Sequence, residues 1–353
     1  MARIGIAGAG LAGRLMAWAL ARSGHEVEVV DPAPGPAPSF DGQGAAAFTA
    51  AGMLSPLAEQ ECGGPDIASI GWRSMALWPR IVAALHHPPR LALAGSLLVA
   101  HAPDRGAAQR ALVRMPGAEP LDHETLLALE PTLAAACTRG VHAWHLPGEG
   151  LIDPVAAMQA LYDAAAGVRW HWGRHVMEVE PGALHMAEGE RIACDWAIDT
   201  RGLGARKNLS LRGVRGETVW LEQAGHGLRR PLRLLHPRHR VYIVPRDERL
   251  LVIGASEIES EDRSPVSLQS AVELMAAAHS LLPHLSEARI VRLDRNLRPA
   301  TPDNLPHTHC ERGLLRLNGL YRHGWLLAPA LVDTLLRAAG IATLETVHAD
   351  PTR

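Results

Sequence analysis

The sequence predicts an α/β fold built from more than one domain, and three observations support this prediction. The chain has 353 residues, which suits two domains, or one large domain with an insertion, better than one small core. Its first 31 residues follow the pattern strand, helix, strand. Later segments alternate short apolar runs with turn residues, as antiparallel hairpins do.

The composition is that of an ordinary soluble globular protein. Hydrophobic residues make up 47% of the chain and the formal net charge is −2. A chain this close to neutral gives no electrostatic reason to expect nucleic acid or an anionic membrane as a partner. Lys207 is the only lysine, so almost no candidate remains for a catalytic lysine or a Schiff base.

The cysteines and the N-terminus favour a cytoplasmic protein without a metal site. Four cysteines occur without a CxxC pair, namely Cys62, Cys137, Cys194 and Cys310. This usage is typical of reduced thiols. Arg14 interrupts the apolar N-terminal stretch, which we therefore interpret as part of the fold and not as a signal peptide. The run HTHC at residues 307–310 is interpreted as a loop, and no metal is expected.

The N-terminal segment predicts a Rossmann-type dinucleotide-binding unit. Arg3–Ala7 is a short apolar run typical of a buried parallel strand. Apolar residues then recur at helical spacing from Leu11 to Ser23, and Gly24 lies where a helix commonly ends. The next run alternates as a second strand and ends in Asp31.

Gly8, Gly10 and Gly13 form a G-x-G-x-x-G motif within this unit. Its glycines permit a tight turn, close approach to a pyrophosphate, and close helix packing. The helix N-terminus supplies amide donors to the phosphates, and Asp31 is expected to bind the ribose hydroxyls. NAD and FAD both use this motif, so the motif alone does not choose between them.

The segment Gly42–Pro56 consists almost entirely of small residues and ends in Met53 and Leu54 before the proline. A flexible linker is the alternative interpretation, but the Ser and Pro density of a linker is missing. Small side chains let a backbone pass closely beneath a flat ligand, which is the interpretation we favour.

The order and spacing of further motifs resemble those of the D-amino-acid oxidase superfamily of FAD enzymes, and within it those of bacterial glycine oxidases of thiamine biosynthesis. The motifs are GAGLAG, AAGMLSPLAE, LLALEPTL, GLIDPVAAMQAL, AIDTRGLGA, VRGE, VYIVPRDERLLVIGAS, NLRPATPDNLP and LNGLYRHGWLLAPALVDTLL. The resemblance implies a Rossmann-type FAD-binding domain interleaved with an α+β substrate domain, whose large antiparallel sheet covers the flavin.

The resemblance also implies a division of the chain. The FAD-binding domain is expected at 1–80, 145–210 and 296–353, and the substrate-binding domain at 81–144 and 211–295. Local patterns predict a hairpin over 240–256, a helix over 268–283 and a hairpin-like stretch over 191–200. A last helix is expected to begin after Gly324 and to end at Gly340.

The resemblance implies that this last helix directs its N-terminus at the pyrimidine edge of the flavin. It also implies a set of cofactor-binding residues, namely Gly8, Gly10, Leu11, Ala12, Gly13, Asp31, Ala51, Gly52, Met53, Val176, Gly202, Gly319, Tyr321, Arg322, His323, Gly324, Trp325 and Leu326. FAD is expected to be non-covalent, because the cysteine that holds flavin in sarcosine-oxidase-like enzymes is missing near Leu297 and Arg298, and Cys310 lies well downstream.

Three residues are expected to be catalytic by the same resemblance: Tyr242, Arg298 and Arg322. Arg298 matches an arginine that binds the substrate carboxylate through its bidentate fork. Tyr242 would add a hydrogen bond to that carboxylate, although a strand tyrosine is also common in a core. Arg322 would lie nearby, and Met53 and Glu257 would form the wall of the substrate pocket.

The expected reaction is oxidative deamination of glycine, a D-amino acid or a small secondary amine. The α-hydrogen leaves as hydride to flavin N5, and the products are an imine or 2-oxo acid, ammonia and, with molecular oxygen as acceptor, hydrogen peroxide. A role in thiamine biosynthesis and a homo-oligomer are both compatible with the resemblance. A dehydrogenase with another electron acceptor and a non-catalytic flavoprotein remain alternatives.

The pocket residues depart from those of glycine oxidases, and these departures concern the substrate and not the reaction type. Arg240 stands where a histidine is frequent, and Glu257 replaces an apolar residue. Arg201 and Leu203 also differ from many relatives. A more polar wall is compatible with a substrate other than glycine, or with a second charged group on it.

Overall fold

The computed structural model describes residues 1–235 and 240–345, and helices and strands alternate in it as an α/β fold requires. The helices are α1 Leu11–Arg22, α2 Pro56–Ala83, α3 Arg105–Leu112, α4 His123–Leu129, α5 Ala134–Cys137, α6 Pro154–Asp163, α7 Leu268–Leu281 and α8 Gly324–Ala338. The strands are β1 Arg3–Ala7, β2 Glu26–Asp31, β3 Met53–Leu54, β4 Leu91–Ala92, β5 Ser96–His101, β6 Glu119–Leu121, β7 Val141–Leu146, β8 Gly150–Ile152, β9 Arg169–Trp172, β10 Val176–Glu180, β11 Ala183–Met186, β12 Arg191–Ala193, β13 Trp196–Asp199, β14 Arg212–Glu222, β15 Leu232–Leu235, β16 Arg240–Pro245, β17 Leu250–Gly254, β18 Arg289–Ala300, β19 His307–Glu311 and β20 Leu314–Asn318.

The N-terminal unit forms the centre of a six-stranded sheet with the order β19-β20-β13-β1-β2-β9. β1 pairs in parallel with β13 and with β2, and only β19 at the edge runs antiparallel to its neighbour. Helices α1, α6 and α8 bury their apolar faces in one core with this sheet. Parallel strands covered by helices are the arrangement of a Rossmann-type domain, so this prediction is confirmed.

A second, eight-stranded sheet has the order β18-β14-β17-β16-β15-β5-β7-β6. It is antiparallel except for the pair β15–β5, so it is a mixed sheet rather than a purely antiparallel one. Helix α7 and the short helices α4 and α5 pack on one face of it. The predicted hairpin β16–β17 and the predicted helix α7 are both present.

The hairpin predicted over 191–200 is wrong. β12 pairs with β11 in a separate three-stranded sheet, whereas β13 lies beside β1 in the six-stranded sheet. The reason is burial, because Ala197 and Ile198 are completely enclosed. A strand that is apolar on both faces belongs inside a parallel sheet and not in a surface hairpin.

The two sheets draw their strands from alternating parts of the chain. The six-stranded sheet uses segments within 3–31, 169–199 and 307–318, and the eight-stranded sheet uses segments within 96–146 and 212–300. Strand β18 runs unbroken across residue 296. The domain boundaries themselves stay a prediction.

No helix within the described ranges is at once long enough and apolar enough to span a lipid bilayer.

Helices α2 and α8 are joined by a pair of tryptophans. Trp78 of α2 is 0% exposed and its indole N–H donates to the carbonyl oxygen of Trp325 at 3.0 Å. The two rings are stacked with their centroids 5.7 Å apart. Because α8 carries the turn that lines the site described below, this pair holds the site against the core.

Replacement of Trp78 by Ala is therefore expected to destabilise the fold by about 3–5 kcal/mol, since it removes a buried ring and leaves a cavity. Urea unfolding followed by far-UV circular dichroism measures this loss. Trp72→Ala is the matched control on the same helix, because Trp72 is 39% exposed, and we expect it to change the free energy of unfolding by about 0.5 kcal/mol or less. Equal effects of the two changes would contradict the assignment of Trp78 to the core.

Candidate active site

A large cavity lies between the two sheets, with a volume of about 1790 Å³. It is lined by the glycine motif, the small-residue segment, the loop after β13, the open face of the eight-stranded sheet and the turn before α8. Pockets for drug-sized ligands usually span roughly 300–1,000 Å³. The cavity is therefore large enough for a dinucleotide together with a small substrate.

The glycine motif leaves bare backbone where a phosphate group would need it. A Cβ on Gly8, whose φ is +101°, would lie 2.6 Å from the carbonyl oxygen of Thr200, and a Cβ on Gly13 would clash with the carbonyl oxygen of Gly8. A Cβ on Gly10 meets no atom within 4 Å, and this residue lines the cavity at the N-terminus of α1. Leu11 and Ala12 line the cavity beside it. The motif thus fits a pyrophosphate bound by helix amides.

Asp31, the last residue of β2, is hydrogen-bonded to the glycine motif. Its carboxylate accepts hydrogen bonds from the N–H of Ala9 at 2.6 Å and from the N–H of Ala33 at 2.8 Å. A carboxylate has about four acceptor positions, and Asp31 also lines the cavity. The geometry leaves room for the expected hydrogen bonds to a ribose, which stay a prediction.

The loop after β13 is fixed by two polar residues that the sequence analysis did not single out. The N–H of Gly202 donates to Oδ1 of Asn318 at 2.7 Å, and Asn318 in turn donates to the carbonyl oxygen of Asp199. Arg201 forms a buried ion pair with Asp199 at 2.7 Å and donates to the carbonyl oxygen of Val176. Arg201, one of the departures from glycine oxidases, is therefore engaged within this loop.

The small-residue segment passes through a space that admits only backbone. Gly52 has a φ of +72°, and a Cβ there would clash with the carbonyl oxygen of Ile152. Ala51 and Met53 line the cavity on either side of it. The segment is held as an ordered wall, so the alternative of a flexible linker is wrong.

The turn before α8 closes the cavity at its other end. Gly319 has a φ of +68° and Tyr321, although not a glycine, has a φ of +50°. Non-glycine residues in this region are uncommon and often occur at functional sites. The indole of Trp325 donates to the carbonyl oxygen of Ala47 at 3.1 Å, which ties this turn to the small-residue segment. All predicted residues of the turn line the cavity, namely Gly319, Tyr321, Arg322, His323, Gly324, Trp325 and Leu326.

Arg298 reaches into the cavity from β18. Its guanidinium lies over Gly216 of the neighbouring strand, where any Cβ would clash with it. Nη1 donates to the carbonyl oxygen of Ser256 at 3.1 Å. Within residues 1–235 and 240–345, Arg298 has no carboxylate in ion-pair distance, so its fork is available to an anion from outside the chain.

Tyr242 lies on the same face of the sheet. Its ring crosses Gly254 of the next strand, where a Cβ would lie 2.5 Å from the hydroxyl oxygen. Desolvation raises the pKa of the Tyr242 hydroxyl above its ordinary value, although the charge of Arg298 opposes this. The hydroxyl is therefore a neutral hydrogen-bond donor over the ordinary range of pH.

Glu59 of α2 contacts three basic residues of the cavity wall. Its carboxylate lies 2.8 Å from Nη2 of Arg322, 3.4 Å from Nδ1 of His323 and 3.7 Å from Nη2 of Arg233. Arg322 also contacts Glu257 at 3.3 Å. The guanidinium of Arg322 is thus occupied by two carboxylates of the chain, and its expected contact with a substrate carboxylate stays a prediction.

These contacts set the charges of the wall. Burial acts to raise the pKa of Glu59, but its basic neighbours, above all His323, hold that pKa below its usual range. Burial lowers the pKa of His323 against the opposing effect of Glu59. The wall therefore holds an ionised Glu59 whose charge is compensated by the basic groups around it.

Comparison with known proteins assigns the fold and its chemistry. Residues 3–335 match the model of the DAO family, described as FAD dependent oxidoreductase. The chain belongs to this family. It is 38% identical over 336 residues, 95% of each chain, to a candidate thiamine biosynthesis oxidoreductase ThiO of Rhizobium etli. It is also 29% identical to the glycine oxidase of Geobacillus kaustophilus over 92% of this chain and 89% of that one.

The crystal structure of glycine oxidase from Geobacillus kaustophilus superposes on the whole of both chains with a TM-score of 0.79 and 26% identity. The protein is accordingly an FAD-dependent oxidoreductase of the glycine oxidase and ThiO type within the amino-acid oxidase family. The resemblance stated from the sequence motifs is confirmed.

Several residues of the site escaped the sequence analysis. Gly216 and Gly254 make room for Arg298 and Tyr242, and Glu59 and Arg233 complete the charged wall. A glycine inside a strand pattern is a signal of close approach, and both glycines stand inside quoted motifs. No sequence signal indicated that Glu59 and Arg233 lie close together in the cavity wall, because they are 174 positions apart in the chain.

The bare space at Gly10 allows a selective test of cofactor binding. Gly10→Ala is expected to leave the stability of the apoprotein unchanged, because the new methyl group meets no protein atom. It is expected to weaken FAD binding roughly tenfold or more, a loss of about 1.4 kcal/mol in binding free energy, because the methyl group projects into the phosphate site. Fluorescence titration of apoprotein with FAD gives the affinity. Gly106→Ala in α3, far from the cavity, is the control. Unchanged FAD affinity in Gly10→Ala would show that the phosphates bind elsewhere.

Proposed function

We propose that this enzyme oxidises the Cα–N bond of a small amino acid, such as glycine, a D-amino acid or a secondary amine, to an imine. Hydrolysis of the imine gives the 2-oxo acid and ammonia, or the primary amine where the substrate is a secondary amine. The observation that supports this is the guanidinium of Arg298, which extends into the cavity without any carboxylate partner in the described residues. An anchored α-carboxylate is what such a reaction needs first.

In this proposal Arg298 holds the substrate carboxylate through two parallel hydrogen bonds, for which its planar fork is suited. Tyr242 donates a further hydrogen bond from its neutral hydroxyl. When bound, FAD supplies the acceptor that takes the α-hydrogen as hydride at N5. The chain contributes orientation, because a substrate fixed at its carboxylate presents one hydrogen on the α-carbon in a constant direction.

The turn before α8 has a complementary role. The first turn of α8 contains no acidic residue and no side-chain cap. Its amides and the positive end of the helix dipole favour negative charge at this edge of the cavity. Met53 and Glu257 lie on the cavity wall and are proposed to limit the size of the substrate.

We further propose that molecular oxygen is the electron acceptor, with hydrogen peroxide as the product. The similarity to the Rhizobium relative supports a role in thiamine biosynthesis, and four unpaired cysteines support a cytoplasmic enzyme. Purified protein incubated with glycine, sarcosine or D-alanine should consume oxygen and produce peroxide. Absence of turnover with every amino acid and amine tested would refute the proposal.

Non-covalent attachment of FAD is a separate part of the proposal. Leu297 and Arg298 occupy the position near which a flavin-linking cysteine would stand, and Cys310 is exposed on β19. Acid precipitation of the purified yellow protein is expected to leave FAD in the supernatant. Flavin absorbance that remains with the pellet would contradict this.

Arg298→Ala is expected to reduce kcat/KM roughly 30-fold to several-thousand-fold, which corresponds to a loss of about 2–5 kcal/mol of transition-state stabilisation. The reason is that the substrate anion loses its bidentate partner in a partly desolvated site. The loss should appear in kcat as well as in KM, since an unanchored substrate orients its α-hydrogen poorly. Steady-state kinetics with the best substrate of the screen measures both values.

Arg298→Lys should recover only part of the loss, because lysine supplies charge without the fork. Arg289→Ala is the control at the exposed start of the same strand, and its kinetics should equal those of the parent. FAD content should be the same in all variants. Parent-like kcat/KM in Arg298→Ala would remove the basis of the proposed substrate site.

A further inference from the structure

Arg233 is a further arginine that lines the cavity, and the proposed reaction gives this residue no role. It lies on β15 directly opposite Tyr242 of β16, and it lines the cavity. Directly opposed residues of antiparallel strands project from the same face of a sheet. Arg233 therefore points to the same side as the residues proposed to hold the substrate carboxylate.

The donors of Arg233 are poorly satisfied. Its Nε is buried without a hydrogen-bond partner, and within the described chain its guanidinium makes no hydrogen bond to another residue. The nearest carboxylate oxygen belongs to Glu59, at 3.7 Å, and that carboxylate is held more closely by Arg322 at 2.8 Å. The side chain of Arg233 is 23% exposed and its Nε is enclosed without a partner, and an enclosed donor without a hydrogen bond is costly. Arg233 is therefore prepared for an additional anion.

A second acidic residue near Arg233 does not fill this role. Glu149 is completely buried, and its carboxyl group accepts hydrogen bonds from the N–H of Ala58 at 2.7 Å and from the hydroxyl of Ser96 at 2.5 Å. Burial raises the pKa of Glu149, and the charge of Arg233 opposes this from beyond ion-pair distance. It forms no ion pair with Arg233 among the residues described.

We infer that the enzyme prefers amino acids with a second carboxylate, and that Arg233 binds this distal carboxylate while Arg298 holds the α-carboxylate. The inference rests on the proposed function and specifies its substrate class.

The spacing of the strands sets the size of this substrate. The guanidinium of Arg298 lies over Gly216 of β14, and three strand spacings separate β14 from β15, about 14 Å in all. The proposal requires the side chain of Arg233 to extend along the sheet toward β14. A diacid with two or three carbon atoms between its carboxylates, the size of aspartate or glutamate, would then bridge the two guanidinium groups.

The first experiment compares substrates of equal shape on the parent enzyme. D-Aspartate is measured against D-asparagine and D-glutamate against D-glutamine, with glycine as the reference, by peroxide production. In at least one pair the acid should exceed its amide by roughly tenfold or more in kcat/KM, because only the acid accepts the fork of a second arginine. Turnover of glycine without such a preference in either pair would overturn the inference.

The second experiment compares variants. Arg233→Met should abolish the preference for the acid, so that kcat/KM for the acid falls to about that for its amide, mainly through KM. Arg233→Lys should keep part of the preference. Arg249→Met removes an exposed arginine of the turn between β16 and β17 and should change nothing. An equal loss for acid, amide and glycine in Arg233→Met would assign Arg233 to the support of Glu59 and contradict the inference.

The two levels of the proposal fail in different ways. If no amino acid is oxidised by the parent enzyme, the proposed function itself is wrong. If glycine is oxidised and the acids are not preferred, only the assignment of Arg233 is wrong. The comparison on the parent enzyme keeps this distinction even if Arg233→Met does not fold.

Discussion

The close approach of backbone to backbone is the constraint on which the whole cavity depends. At Gly13 and at Gly52 a single Cβ would clash with a carbonyl oxygen of a neighbouring segment. At Gly216 the same atom would displace the guanidinium of Arg298. Two sheets from alternating parts of the chain can enclose one flat cofactor only if their connecting segments are this bare, and glycine is the residue that permits it. The rest of the site is arranged around the space that these positions leave.

The charged wall shows how a small number of carboxylates can organise several arginines. Glu59 is shared by Arg322, His323 and Arg233, which keeps it ionised although it is largely buried. Burying ionised groups is favourable only when partners compensate for the lost hydration. The compensation here is unequal, because Arg322 has two carboxylates and Arg298 has none in the described chain. That inequality separates residues that build the wall from a residue suited to bind a substrate.

Much of the architecture was predictable because it is encoded locally. The strand, helix and strand around Gly8, the hairpin β16–β17 and helix α7 all follow from periodicity and turn residues within about 30 positions. The hairpin predicted over 191–200 was wrong because its strand pairing is not encoded locally. Its two strands look alike in sequence, and only the burial of Ala197 and Ile198 beside β1 assigns the second of them to a different sheet. Strand pairing at long range is decided by the partner and not by the strand.

The sequence by itself determined the fold class, the dinucleotide motif and the family, because each depends on residue types at short and regular spacings. It also named Arg298 and Tyr242, through motifs that surround them. Only the tertiary structure decided which arginine remains open to a substrate, since that depends on whether Glu59, 239 positions away from Arg298, reaches it. The same holds for Arg233, whose position opposite Tyr242 comes from strand register. Charges in a folded cavity are balanced by neighbours in space, and those neighbours are fixed only when the sheets close around it.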